Sequence, residues 1–480
     1  MKPAAKQRSE AMGRDTIWRL LFRFSGPTII SMLVSSSYNI VDAVYVGRLG
    51  PAAVAALAIF FPINMVWMAF AMGTGVGASS LISQNLGAKN YARANRIFGI
   101  TITLGVAFGA VLTAVALPNL EGMVRLFGAT GEVVPLAKAY TGYHVAFLWV
   151  FLFSIILANT VRAEGSPMLS SVAQFVSAIV NIVLDPILIF GWGPVPRLGV
   201  SGAAIATVIA WWSSFGIFLF YYLAGRSSFR PRLRDLIPDF KTVRDIYRIG
   251  AASIARMIAG SIVQTQGNVV AASYGVIPLG VKGVLLRAVS FAFMPCMGVG
   301  QAVLPLVAYN YGAGKKGRIG EVVTKGGIMV LSWSGLCFLG AELFPRQVMA
   351  VFSNNPEFIR VGAEATRIFC LAAFTVGIQM ISSFYFQATG QGLASFILAS
   401  TRQIIFLLPA LAILPRIFGI KGLWFSFPVA DVSAVAITLV WLVRSFRKTG
   451  IPFTLSAKGE ALEVVPVSGL AEATNKTSLD

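Results

Sequence analysis

Residues 168–191 read MLSSVAQFVSAIVNIVLDPILIFG, and the length of this run decides the fold class. Wound as an α-helix it would rise roughly 36 Å, enough to cross the ~30 Å hydrocarbon core of a bilayer. It carries one charge, Asp185. Eleven more runs share its character. The twelve spans are predicted at approximately 26–46, 53–80, 97–117, 140–161, 168–191, 200–224, 249–276, 281–309, 323–344, 366–387, 393–415 and 422–444. Only helices and closed barrels satisfy their backbone polar groups in lipid. No segment alternates as a barrel strand does, so the expected fold is all-α and integral to a membrane.

Composition agrees. The chain is 56% hydrophobic and 12% charged, against about 25% charged in soluble domains. That excludes most soluble folds, and disorder too, because disordered chains are poor in apolar residues. The net charge of +20 would suggest nucleic acid in a soluble protein. In a chain this apolar it reads as membrane topology, and no nucleic-acid partner is expected. Cys296, Cys337 and Cys370 sit in apolar stretches and read as core residues, not as a disulfide framework. Residues 1–25 form a polar segment with no apolar run, so no cleaved signal peptide is expected. The polar stretch 446–480 reads as a disordered tail.

The basic residues orient the chain. With the N-terminus inside, 26 Lys and Arg fall in inner segments and 9 in outer loops. That places both termini in the cytoplasm of a multi-pass protein of the inner (cytoplasmic) membrane. The most basic loop, 225–248, carries Arg226, Arg230, Arg232, Arg234, Lys241, Arg244 and Arg248. It reads as a topology anchor, with lipid headgroups as its other possible partner.

The two halves of the chain repeat. Met72-Gly73-Thr74-Gly75 corresponds to Met297-Gly298-Val299-Gly300, and Asn85-Leu86-Gly87-Ala88 to Asn310-Tyr311-Gly312-Ala313, both at an offset of 225. Ala163-Glu164-Gly165 and Ala388-Thr389-Gly390 share that offset. The unit is six spans, an even number, so both copies enter the membrane from the same side. Two six-helix lobes, 26–224 and 249–445, are expected, related by a pseudo-two-fold axis along the membrane normal and joined by the basic linker. Repeats of this kind are typical of secondary transporters.

Intramembrane ionisable groups are functional candidates because charge in lipid is costly. Asp42 lies near the outer end of the first span and Asp185 in the second half of the fifth. Both spans start inside, so the two acids share a depth. Asn181 is four residues before Asp185, on the same helix face. Two carboxylates at one depth can share a proton or hold a cation through oxygen. Aligned with a small gap that matches Asn39 to Asn268, the repeat partner of Asp42 is Ala271, and that of Asp185 falls in the apolar stretch around Leu408. The acids therefore belong to the first half alone. The bland reading of Asp185-Pro186 is a cap at a helix break.

Asp431 is a third intramembrane acid, for which a hydrogen bond to a neighbouring helix is the competing reading. Arg256, Arg287 and the lone His144 read as structural. Gly73, Gly75 and Gly77 lie inside a span with no preceding strand, so close helix packing explains them better than phosphate binding. No nucleotide-binding motif, metal-ligand cluster or nucleophile–His–acid set is visible, so neither an ATP-driven pump nor an enzyme is expected. Asn39, Gln264, Gln266, Asn268, Met294, Met297, Gln379 and Asp431 are candidates to line an adaptable substrate cavity, ordinary helix packing being the alternative for each Met.

Taken together, Pro27, the Tyr38–Gly50 segment with Asp42, the Gly73–Asn90 segment, Asn181–Phe190 and Tyr309–Gly314 resemble the multidrug and toxic compound extrusion (MATE) transporters. The resemblance covers about residues 20–445 and is nearest to the bacterial DinF-like and MepA-like branch. It implies an alternating-access antiporter that exchanges H+ or Na+ for amphipathic, often cationic drugs or toxic metabolites. No prosthetic cofactor, a monomer and contact with membrane lipids are expected. The branch implies a coupling site at Asp42, Asn181, Asp185 and Thr207, the last known from the resemblance alone. These residues would also be the Na+ ligands. Other branches place acids where this chain has Gln264, Gln266 and Gln379. Flippases of lipid-linked sugars share the fold and are the alternative reading, followed by a membrane enzyme.

Overall fold

The structure is a computed structural model that describes residues 3–456, apart from the side chains of residues 3–5, 39, 40 and 43. Among the described residues it is helical throughout, with one isolated bridge between Trp192 and Val195. The first half contains α1 (Pro3–Ala11), α2 (Ile17–Gly47), α3 (Pro51–Gly87), α4 (Tyr91–Ala116), α5 (Leu120–Leu126), α6 (Val133–Ala146), α7 (Leu148–Ala163), α8 (Pro167–Phe190) and α9 (Val200–Leu223). The second contains α10 (Phe240–Ser273), α11 (Val276–Gly312), α12 (Lys316–Leu343), α13 (Pro345–Ala350), α14 (Pro356–Cys370), α15 (Val376–Ala388), α16 (Gly392–Ser400), α17 (Leu408–Phe418) and α18 (Ile420–Thr449).

Ten of these runs are long and apolar enough to cross a bilayer singly, α16 and α17 counting as one. Two more spans are broken: α6 and α7 meet at 53°, and α14 and α15 at 42°. Counting each bent pair once gives twelve, the number expected. The bent spans are longer than the runs 140–161 and 366–387 predicted for them, because α6 and α14 contribute their own apolar turns. The last helix runs beyond residue 445 to Thr449. Gly450 ends it in the left-handed region (φ 65°), with Ile451 N–H donating to Phe446 O at 2.9 Å. That is the usual glycine stop, in which a reversed backbone recovers a terminal carbonyl. Residues 457–480 of the expected tail lie outside the described residues.

The chain divides into two compact units. Of the described residues, 3–11, 30–86 and 90–250 make the first, and 12–29, 87–89 and 251–456 the second. Each has its own apolar core. In the first, Val46, Ile63, Trp67, Tyr140, Leu148, Leu152 and Ile189 are buried together. In the second, Leu285, Phe369, Leu411, Leu423, Trp424 and Phe427 play that part. Gly77 packs where a Cβ would strike the Ile246 carbonyl, which agrees with a close-packing role for the span-two glycines.

Between α16 and α17 the chain forms a wide π-helical stretch, Thr401–Leu407, so the span continues without breaking. Such turns carry an extra residue and are frequent at functional sites.

Candidate functional site

In the first unit α8 and α9 form a tight antiparallel pair. Gly202 makes the approach possible: a Cβ there would collide with the Leu188 carbonyl. The turn between them is fixed by Leu198 N–H to Leu188 O and Gly199 N–H to Ile189 O, both 3.1 Å. Asn181 and Asp185 occupy the face of α8 that meets α9, and Thr207 occupies the opposing face. Asn181 Nδ2 donates to Asp185 Oδ1 and to Thr207 Oγ1, each at 3.3 Å. Thr207 donates its own proton back to Ala203 O at 3.1 Å. Asn181 and Asp185 are buried. The helix runs through Pro186 to Phe190, so Asp185 does not cap a break.

Asp42, on α2, is near enough to Asp185 for their charges to interact, and both act on the phenol of buried Tyr140 from α6. Hydrogen bonds thus join Asn181, Asp185 and Thr207, with Asp42 and Tyr140 within electrostatic range of Asp185. Three oxygens of this cluster are buried without a hydrogen-bond donor: Asp42 Oδ1, Asn181 Oδ1 and Asp185 Oδ2. Buried acceptors left unpaired are costly. A set of two carboxylates, an amide oxygen and a hydroxyl suits a hard cation or a shared proton. Among the described residues no group of three or more His, Cys, Asp and Glu forms, so no denser ligand cluster competes with it.

The remaining candidates fall in the second unit, except Asn39, whose side chain lies outside the described residues. A cavity of about 250 Å³ sits there, lined by Gln264, Asp431 and a mainly apolar wall. Asn268 does not line it but accepts from one of its lining residues, the Lys282 ammonium. Gln379 instead donates to Leu398 O at 3.4 Å. Gln266, Met294 and Met297 are half-buried and do not line the cavity. Asp431 is buried and paired with Arg402, Nε to Oδ1 at 2.5 Å. Arg256 has a structural anchor: it donates to Ser383 Oγ at 2.6 Å and lies over the Phe384 ring. His144 is buried between Phe60, Tyr140 and Trp211, with Nδ1 2.8 Å from Tyr140 O.

Sequence reasoning missed Lys282. It counts among the outer-loop cations there, but it is buried in the first turns of α11. It missed the Arg402–Asp431 pair as well, although opposite charges inside consecutive spans were a visible signal.

Comparison with known proteins adds an independent line. The profile of the family described as MatE matches twice, at residues 27–187 and 252–411, the second match starting 225 residues after the first. Multidrug export protein MepA of Staphylococcus aureus (strain MRSA252) is 28% identical over 437 residues, 90% of this chain and 95% of that protein. MepA of Staphylococcus saprophyticus is 27% identical with the same coverage. Among solved structures, a MOP superfamily transporter from Pyrococcus furiosus superposes with TM-score 0.85 and 26% identity, covering 92% of this chain and 98% of that one. An outward-facing multidrug resistance MATE transporter gives TM-score 0.86 at the same identity and coverage.

Proposed function

The chain belongs to the MatE family of multi-pass membrane transporters, and from that premise we propose that it exports amphipathic drugs or toxic metabolites in exchange for H+ or Na+. The observation that carries the coupling half is the trio of donorless oxygens on Asp42, Asn181 and Asp185 beside Thr207. A proton on either carboxylate, or a cation among the four residues, removes the cost of leaving those oxygens unpaired. Exchange follows if ion and drug favour different conformations, because each ligand shifts the equilibrium only by its difference in affinity for the two states. The export half rests on the likeness to MepA along 90% of the chain. The topology proposed with it is both termini in the cytoplasm, set by the basic inner loops, and residence in the cell membrane as a monomer among lipids.

The test is drug efflux from proteoliposomes driven by imposed pH or Na+ jumps, with Asp42→Asn and Asp185→Asn alongside the native chain. Gradient-driven efflux should fail in both variants while drug binding persists. Native-like efflux by both would remove this coupling site.

A further inference from the structure

The cavity of the second unit holds a charge that nothing in the coupling reading uses. Lys282 is 1% exposed. Its ammonium donates to Asn268 Oδ1 at 2.7 Å and to the Gln264 carbonyl at 3.4 Å, both neutral oxygens. No acid among the described residues lies within ion-pair distance of it. An ammonium has three donors, so one remains to be satisfied. A buried cation held only by neutral groups is costly and calls for an anion.

The surroundings are built around this side chain. Gly267 leaves the space it crosses: a Cβ there would stand 2.6 Å from Lys282 Cε. The π-helical stretch 401–407 contributes Arg402, Gln403 and Leu407 to the same wall. Asp431, the acid of the cavity, is already engaged by Arg402. Two cations and one anion therefore line the space, and the surplus positive charge belongs to Lys282. Apart from the neutral polar Gln264, Ser290 and Gln403, the rest of the lining is apolar, including Val289, Phe293, Phe369 and Phe427. A fixed cation in an apolar chamber recognises a molecule with a compact anionic head and a hydrocarbon body.

We propose that this cavity binds a small amphiphilic carboxylate, its head on Lys282 and its body against the aromatic wall. The site lies within the second unit and is independent of the oxygen cluster in the first.

The test uses the full chain in nanodiscs of zwitterionic lipid, titrated calorimetrically with octanoate, octanol and octyltrimethylammonium. Octanoate should bind at least about 10-fold tighter than octanol, the difference a charge-assisted hydrogen bond supplies. Lys282→Met should erase that preference and Lys282→Arg should keep it. Leu286→Trp, which fills the cavity, should abolish octanoate binding. Asp42→Asn should leave it intact, which separates this site from the coupling proposal. Equal binding of octanoate and octanol by the native chain would overturn the inference, and that comparison decides the matter even if Lys282→Met fails to fold. Tighter binding of the cationic probe, or octanoate binding that survives Leu286→Trp, would overturn it as well.

Discussion

The two units descend through the same six-span pattern and carry opposite electrostatics. The first buries acids without counter-charges, Asp42 and Asp185 beside Asn181 and Thr207. The second buries Lys282 and pairs its buried acids, Asp431 with Arg402 and Glu321 with Lys325. At the position equivalent to Asp42 the second unit has Ala271, which is fully buried in an apolar core. The scaffold therefore does not dictate the charge. Packing positions recur, while each polar group depends on one or two side chains that the helices can exchange freely. An acid left without a counter-charge is poised to take up a cation or proton, whereas an acid with a guanidinium partner is already neutralised.

The comparison breaks first at the acids. Asp185→Asn should lower gradient-driven drug efflux by about 100-fold, the upper range of a coupling free energy. It should do so without lowering the thermal unfolding midpoint in detergent, because it removes a buried carboxylate that has no counter-charge. Loss of folding together with efflux would place Asp185 among structural groups. The second unit should respond in the opposite sense. Asp431→Asn strands Arg402, whose side chain is 23% exposed, and should cost about 3 kcal/mol, the low end for breaking a buried pair. A chemical or thermal melt reads this directly. An unchanged melt would mean that the pair is no more than a surface contact.

Smaller effects sharpen the contrast. Thr207→Val removes one hydroxyl from the oxygen cluster and should weaken ion-dependent efflux roughly 3- to 10-fold, the worth of one hydrogen bond. Thr207→Ser should restore most of it. Glu164, just beyond α7, gives the least. It is buried and accepts from Ser227 Oγ and Ser228 N–H, both 2.8 Å, with Tyr221 and Arg8 beside it. Burial raises its pKa from 4.5 to about 7. The folded state thus holds the proton more tightly than the unfolded one, and stability declines as pH rises from about 4.5 to 7 and then levels. Glu164→Gln should flatten that part of the melting-temperature profile. A slope unchanged in the variant would assign it to other groups.

Much of this was legible in the sequence. Twelve apolar runs and a 225-residue offset carry the architecture, because in lipid backbone satisfaction leaves few alternatives. Asp42 and Asp185 stood out since an isolated acid in a 20-residue apolar run is costly, and Asn181 because it shares a helix face with Asp185. Thr207 did not, as a hydroxyl can bond its own helix, and here it does so with Ala203 O. Tyr140 was hidden because it is the first residue of the predicted run 140–161, the place of an interfacial aromatic, whereas α6 begins at Val133 and buries it. Lys282 was hidden for a related reason. It stands nine residues beyond Ser273, the last residue of α10, so position along the chain suggested water, while α11 begins at Val276 and buries it.

The wide turn at 401–407 can also be viewed as a matter of rotational phase. An α-helix advances about 100° per residue, so one surplus residue re-clocks every side chain on one side of it relative to the other. The face on which Arg402 meets Asp431 is thus set by a count of residues as much as by their identity. Removing a single residue from the stretch would keep the composition of the span and the apolar run intact. It would still turn the guanidinium out of step with its acid, converting the polarity of the whole chamber through an edit that carries no charge.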